Sequence, residues 1–188
     1  MNIVVNILLP IFMEILPILI SLTIKSFRTP TGLHAAVLGL KIAIMLSEIR
    51  GAPVEDLSEA IMEEGIDFSN QRLQRLDLTD SQINNICLNH AKLGQVSAYK
   101  LKSESLSAVN IVCASVDFSE AEIKALDLRG AKVAILDLSK AQIGTLVLQQ
   151  ADILSLDLSE ATINAIVGGN QARIYLQDRW KSKISHEE

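Results

Sequence analysis

Aromatic side chains are scarce in this chain: they make up 4% of its residues, although 49% of the residues are hydrophobic. Ordinary globular cores draw more of their buried area from large rings. A chain whose apolar residues are mostly Leu, Ile, Val and Ala therefore predicts a narrow and regular interior. An excess of basic residues is also lacking, since the net charge is −5, and this leaves no cationic footprint for nucleic acid.

Catalytic and metal-binding motifs are lacking too. The chain has two cysteines and three histidines, and none of them falls at metal-ligand spacing. The sequence contains no nucleophile elbow, phosphate-binding loop or paired catalytic carboxylates in a recognisable motif. We therefore expect a protein that is not an enzyme and holds no cofactor or metal. Cys113 is interpreted as a small buried residue of the core.

One long apolar run stands near the N-terminus, from Ile3 to Ile24. Its 22 residues would span roughly 33 Å as a helix, which matches the hydrocarbon core of a bilayer. Lys25 and Arg28 follow directly, so the positive-inside rule places the downstream chain in the cytoplasm. We predict a transmembrane anchor over residues 1–28. The alternative is an apolar helix that docks on protein, and it gains weight from Glu14 because a carboxylate is unfavourable in lipid.

Residues 29–65 are predicted to form a helical linker and an N-terminal cap. A second apolar stretch, residues 33–46, is short for a membrane span. We expect it to be a helix that lies on the membrane surface or against the rest of the protein. A helical hairpin in the membrane, turning at residues 29–32, is the alternative.

A further helix is predicted over residues 53–64. Pro53 suits the first turn of a helix, and Val54, Leu57 and Ile61 would share one apolar face. This helix would cover the first coil of the segment that follows it.

From Ile66 the sequence advances in steps of five. One register of apolar positions recurs at every fifth residue, and a second, mostly apolar register precedes it by two. A period of five fits neither the turn of an α-helix nor the alternation of a flat strand. It fits a chain that turns a corner every five residues, with two side chains per side pointing inward. The first register contains Phe68, Leu73, Leu78, Ile83, Leu88, Leu93, Ala98, Ser103, Ala108, Cys113, Phe118, Ile123, Leu128, Val133, Leu138, Ile143, Leu148, Ile153, Leu158 and Ile163.

The runs Leu136–Ile143 and Leu156–Ile163 read LDLSKAQI and LDLSEATI. They resemble the pentapeptide-repeat family, whose motif is roughly Ala-Asp/Asn-Leu-x-x. The resemblance implies a mainly β fold, a right-handed quadrilateral parallel β-helix with twenty residues per coil. It covers residues 66–170, or about five coils, and leaves residues 171–188 as a C-terminal cap and tail. The chain departs from the motif where Leu or Ile replaces Ala at every second small position.

Side-chain volumes support a twenty-residue coil independently of the family resemblance. Where the first register shrinks to Ser103, its neighbour in the second register grows to Leu101. One coil later, the larger Ile123 stands beside the smaller Ala121. Such swaps keep the volume of a layer constant, as close-packed cores require.

An apolar group interrupts the otherwise polar outward positions. Apolar residues on an outer face usually have something that covers them. The cover is either the chain's own helix around residues 33–49, or a protein partner or second subunit. We select this group as the candidate partner-binding face because its side chains are apolar. It comprises Val112, Ala114, Ala134, Ile135 and Leu154.

Aspartates recur at one corner, at Asp77, Asp117, Asp137 and Asp157. Family members that protect DNA gyrase carry acidic faces that imitate the phosphate backbone. Between residues 66 and 170, however, 12 acidic residues stand against 9 basic ones, which is far sparser than the one charge per about 1.7 Å of duplex DNA. The alternative role of these aspartates is to hydrogen-bond the nearby backbone.

These features predict a non-enzymatic binding or scaffolding solenoid, tethered to the membrane through residues 3–24, that presents a β-helix face to an unknown protein partner in the cytoplasm. The alternative is a soluble DNA-mimic pentapeptide protein that binds a type II topoisomerase. Nucleic-acid binding is not expected, and a homo-oligomer is left open. Because β-helix ends need caps, Tyr175 and Trp180 are candidate cap or dimer contacts.

Overall fold

The computed structural model describes residues 30–176 as an α-helix followed by short strands. The helix, α1, spans Pro30–Glu48, and a short 3-10 helix, Gly169–Gln171, precedes the last strand. Fifteen strands lie within the described range. They are β1 (Val54–Asp56), β2 (Ile61–Met62), β3 (Ile66–Asp67), β4 (Arg72–Asp77), β5 (Gln82–Ile83), β6 (Asn85–Cys87), β7 (Lys92–Ser97), β8 (Lys102–Ser107), β9 (Val112–Asp117), β10 (Glu122–Asp127), β11 (Lys132–Asp137), β12 (Gln142–Val147), β13 (Asp152–Asp157), β14 (Thr162–Val167) and β15 (Arg173–Leu176).

The strands form two parallel sheets. Sheet A has the order β1-β4-β7-β9-β11-β13-β15, and sheet B has the order β14-β12-β10-β8-β5-β2, with β6 joining β8 and β3. From β3 to β14, neighbouring strands pair residues twenty positions apart, as in Leu73 with Leu93 and Val133 with Ile153. The end strands β1, β2 and β15 pair at an interval of 21. The chain therefore advances by one strand per coil in each sheet and completes about six coils. This confirms the predicted parallel β-solenoid and its twenty-residue spacing.

Both inward registers of the repeat lie in the core. Leu136 of the second register and Cys113 of the first are fully buried, and burying a Leu side chain contributes roughly 1.5–3 kcal/mol. Ser103, the polar exception, is also buried, and its Oγ lies 3.2 Å from the carbonyl oxygen of Asn84, which can accept its hydrogen. Leu101 beside it is fully buried. The two residues therefore share one packed layer, as their volumes predicted.

Corners with a left-handed backbone recur every tenth residue along the solenoid. The φ angle is +56° at Lys140 and +64° at Gly130. A residue other than glycine in this region costs about 1–2 kcal/mol, so the neighbouring coil must hold it in place. The N–H of Lys140 does so by donating a hydrogen bond to the carbonyl oxygen of Ser159 at 2.8 Å.

The aspartate column has a local structural role at these corners. The carboxylate of Asp137 accepts a hydrogen bond from the backbone N–H of Ser139 at 2.8 Å. Asp117 and Asp157 accept the equivalent hydrogen bonds from the residues two positions on, also at 2.8 Å. Aspartate favours such turns because its short side chain reaches its own backbone.

The helix predicted over residues 53–64 is wrong, because this stretch forms β1 and β2 and adds a coil before the predicted start at Ile66. Strand β2 pairs Met62 with Ile83, 21 positions on, whereas β3 pairs Ile66 with Ile86, twenty positions on. One extra residue between Met62 and Ile66 therefore shifts the register of fives. As a result, the inward residues of the first coil do not fall at the same five-residue positions as those of the later coils.

The helix predicted over residues 33–46 is present as the longer α1. Pro30 opens its first turn, a position that proline favours, so residues 30–32 are helical and do not form the turn considered at residues 29–32. The first arm of that hairpin lies outside the described residues. The predicted transmembrane segment, residues 3–24, lies outside the described residues. Between residues 30 and 176, no helix combines the length and the apolar character that a membrane span requires.

The two thiols test the packing of the core. Cys113 is fully buried, and burial raises the pKa of its thiol to about 12, whereas Cys87 is only partly buried beside the hydroxyl of Ser69. The thiolate is the reactive form. We therefore expect a disulfide reagent at neutral pH to titrate one thiol in the folded protein and both thiols in denaturant. Labelling of Cys113 before unfolding, in a Cys87→Ser variant, would contradict the fold.

Candidate functional site

The predicted partner-binding face lies beneath the chain's own helix. Ala114, Ala134 and Leu154 point outward from β9, β11 and β13, yet all three are fully buried against α1. Val112 and Ile135 are partly buried at its margins. Of the two kinds of cover that the sequence left open, the structure places the chain's own helix on this face. We call the face, together with Gly94 and Tyr175, the helix-covered face.

One stripe of α1 supplies the other half of this contact. Its residues recur at intervals of three and four, which is the spacing of a single helix face. Each side chain in the stripe is buried against sheet A, with exposed fractions of 9% or less. The residues are Ala35, Leu38, Ile42, Met45 and Leu46 of α1, followed by Ile49 just after the helix.

Small residues of the solenoid let α1 approach closely. At Gly94 a Cβ atom would lie 2.5 Å from the carbonyl oxygen of Gln74 on the neighbouring strand and 3.2 Å from Cδ1 of Ile49, just after α1. Ala114 and Ala134 continue the small column along sheet A. Because Ala114, Ala134 and Leu154 are fully buried against α1, this face offers no room for a second occupant while the helix is docked.

An ion pair lies at each end of the helix-covered face. Near the C-terminus of α1, the ammonium of Lys92 binds the carboxylate of Glu48, and this hydrogen bond lowers the pKa of Glu48. At the other end, Arg173 donates a hydrogen bond from Nη2 to Asp152 at 2.9 Å. The same contact raises the pKa of Arg173.

The two predicted cap residues have different outcomes. Tyr175 lies on β15 and packs partly buried against the cluster of α1, where burial raises the pKa of its hydroxyl. It therefore contacts the chain's own helix at the last coil. Trp180 lies outside the described residues, and a dimer role for either residue stays a prediction.

The outward side of sheet B carries a second surface that the sequence analysis did not select. Two rows of side chains border a shallow groove, which we call the polar trough. The ammonium of Lys102 lies 3.2 Å from the carboxylate of Glu122, and that of Lys124 lies 2.6 Å from the carboxylate of Glu104. All four side chains are exposed. The trough is lined by Gln82, Asn84, Lys102, Ser103, Glu104, Glu122, Ile123, Lys124, Gln142, Ile143, Gly144, Thr162 and Asn164.

A signal for the trough existed in the sequence. Residues twenty positions apart stack, and the pairs Lys102–Glu122 and Glu104–Lys124 alternate in charge at that interval. Exposed pairs of this kind contribute little to stability, so the trough matters more for the surface pattern that it presents than for the fold.

The groups that the polar trough leaves open to a ligand are its side chains. Strand neighbours already use the backbone amides of the trough, as in the pairing of β10 with β8 and β12. Recognition there would rest on side chains. Among residues 30–176, no three His, Cys, Asp or Glu side chains are grouped to hold a metal ion.

No family model, curated protein or solved structure matches this chain. The assignment to a parallel β-solenoid rests on its strand pairing and its twenty-residue spacing.

A charge placed under α1 should detach the helix. Ala134→Asp puts a carboxylate into a fully buried contact, and burying a charge without a partner is strongly unfavourable. We expect hydrogen exchange to accelerate by more than tenfold in residues 34–49 while the strands keep their protection. Ala125→Asp is the matched control, because Ala125 is exposed on sheet B. Unchanged exchange in α1 of Ala134→Asp would show that the helix does not need this contact.

Proposed function

We propose that this chain is a non-enzymatic scaffold of the pentapeptide-repeat kind, built as a right-handed four-sided β-helix. The five-residue repeat that begins at Ile66 supports this identity, as does the pairing of strands at an interval of twenty residues. Both inward registers are filled by side chains from coil to coil. A filled interior favours surface recognition over catalysis, because substrates bind in concave and water-free pockets.

The polar trough is the proposed binding surface for a protein partner. The observation that carries this choice is the position of α1, which buries the apolar outward residues of sheet A and leaves the outward side of sheet B open. The exposed pairs of the trough form a pattern of alternating charge. A partner with the opposite pattern would gain specificity mainly through electrostatic complementarity.

Membrane tethering through residues 3–24 is the second part of the proposal. The apolar length of this segment and the basic residues Lys25 and Arg28 after it support a span with the solenoid on the cytoplasmic side. This arrangement would hold the trough near the membrane, where its partner would be recruited.

The alternative of a DNA-mimic protein that binds a topoisomerase has less support. Lys100, Lys102, Lys124 and Lys140 interrupt the acidic residues of the solenoid surface, whereas the phosphate backbone is uniformly negative. A supercoiling assay with purified gyrase tests this alternative directly. Inhibition at stoichiometric protein would favour mimicry over scaffolding.

Fractionation tests the tether. We expect the full chain to stay with membranes after a high-salt wash and to be released by detergent. Leu9→Arg with Leu16→Arg should release it, because each arginine opposes insertion by about 2.5–3.5 kcal/mol. Leu9→Ala with Leu16→Ala is the matched control. Recovery of the unaltered chain in the soluble fraction would remove the tether from the proposal.

A charge-neutral set of substitutions tests the trough. Lys102→Gln, Glu104→Gln, Glu122→Gln and Lys124→Gln remove two cations and two anions, and we expect recovery of a co-purifying partner to fall at least tenfold. The matched control neutralises the corner column instead. It consists of Lys100→Gln, Glu120→Gln, Lys140→Gln and Glu160→Gln. Equal partner recovery with both variants, measured by quantitative mass spectrometry after purification in detergent, would rule out the trough.

A further inference from the structure

The outer side of α1 exposes an apolar stripe. Leu40, Ile44 and Val37 are 61%, 51% and 43% exposed, and their spacing of three and four residues aligns them on one side of the helix. The opposite stripe of α1 already packs on the solenoid. A helix that is apolar on both sides is normally covered on both sides, so this outer stripe calls for an occupant.

Positive charge surrounds the outer stripe. Seven basic residues lie on α1, just after it, or on the outward positions of sheet A that flank it, and we call them the cationic rim. Three acidic residues accompany them, namely Glu48, Asp77 and Asp152, each in an ion pair with a rim residue. The rim and these three paired acids carry a net charge of +4, whereas Asp117, Asp137 and Asp157, which follow Asp77 in the same column of sheet A, are counted with the rest of the surface. The rim consists of Lys41, Arg50, Arg72, Arg75, Lys92, Lys132 and Arg173.

The rest of the described surface has the opposite sign. Residues 30–176 contain 12 Lys and Arg and 18 Asp and Glu. Apart from the cationic rim and its three paired acids this leaves 5 basic residues against 15 acidic ones, a net charge of −10. A mildly acidic chain is therefore strongly polarised, with its cations gathered around its exposed apolar helix.

We propose that the outer side of α1 docks on the surface of a bilayer that contains anionic phospholipid. An apolar stripe flanked by Lys and Arg is the pattern of a helix that lies in the membrane interface. The rim residues lie close to the stripe, and charges act over about 8–10 Å at physiological salt. This inference deepens the proposed tether and rests on it for the full chain's position at the membrane.

Two other occupants fit the face less well. A second copy of the same face would bring +4 against +4, which repels. The chain's own residues 3–24 are apolar at nearly every position, so a narrow stripe would leave most of that segment without an apolar partner. An anionic bilayer satisfies both the stripe and the rim, and it accepts residues 3–24 as well.

Docking would also orient the proposed binding surface. Sheet A carries α1, and the polar trough lies on sheet B, across the shared core. With α1 on the lipid, the trough would face away from the bilayer.

A fluorescent probe on α1 tests this docking in the full chain. The environment-sensitive fluorophore NBD is attached at Leu40→Cys in a Cys87→Ser background, where Cys113 is buried. The matched control carries the probe at Ala125→Cys, which is exposed on sheet B. The protein is reconstituted into phosphatidylcholine vesicles with or without phosphatidylglycerol. We expect a blue shift at position 40 with anionic vesicles only, weakened by high salt, and none at position 125.

Flotation of the same samples separates this inference from the tether. A chain that floats with both vesicle types, while the probe at position 40 stays in water, keeps the tether and overturns the docking. A chain that floats only with anionic vesicles, with the shifted probe, keeps the docking and overturns the tether. An equal blue shift in neutral and anionic vesicles would overturn anionic lipid as the occupant of the stripe, because lipid charge would then play no part in the docking of α1.

Charge variants test the role of the cationic rim. Each Lys or Arg near an anionic surface strengthens binding about fivefold, so Lys41→Gln with Lys132→Gln should lower the docked-to-undocked ratio roughly 25-fold. Lys102→Gln with Lys124→Gln changes the net charge equally but lies on the trough. The same loss in both variants would mean that net charge alone governs the response, which would contradict docking through α1.

Discussion

The coils between the two ends of this protein depend on backbone partners twenty residues apart along the chain. Parallel pairing at that interval satisfies the amides of each strand, stacks the inward side chains into layers and holds the left-handed corners in place. The three effects share one register, because a shift of one residue would move inward side chains outward. The solenoid is therefore stabilised by a chain of neighbour contacts rather than by one central core.

The helix α1 covers the apolar outward residues that the repeat alone would leave exposed. Sheet A carries Ala114, Ala134 and Leu154 on its outward side. The helix α1 packs across five strands of this sheet and buries all three residues. The side of sheet B keeps a polar outward surface and needs no cover. The molecule thereby has two unlike sides, one shielded by an apolar helix with a cationic rim and one open and rich in charge pairs. The proposed functions of membrane docking and partner binding follow from that asymmetry.

Much of the fold could be predicted from the sequence. Apolar residues that recur every five positions, and compensating changes of side-chain volume at intervals of twenty, depend directly on how the interior is packed. The first coil was missed, since one extra residue before Ile66 breaks the phase and residues 53–64 also fit a helical face. The apolar group around Ala134 was recognised from its composition. Its occupant was left open, because the sequence of α1 is apolar on both sides and does not say which side is buried. The trough required cross-coil pairs such as Lys102 with Glu122, which become visible only when the coil length is applied to the outward positions.

The coil length can be tested by deletion. Removing residues 91–110 takes out one coil and brings β4 beside β9 with the inward residues still aligned. Removing residues 91–105 preserves the five-residue repeat, but it puts the corners that recur every ten residues, and the helix-covered face, out of phase between neighbouring coils. Thermal unfolding followed by circular dichroism in detergent compares the two chains. The account predicts a single cooperative transition with strand signal for the longer deletion and loss of that transition for the shorter one. Equal stability of the two chains, or greater stability of the shorter deletion, would contradict a coil of twenty residues.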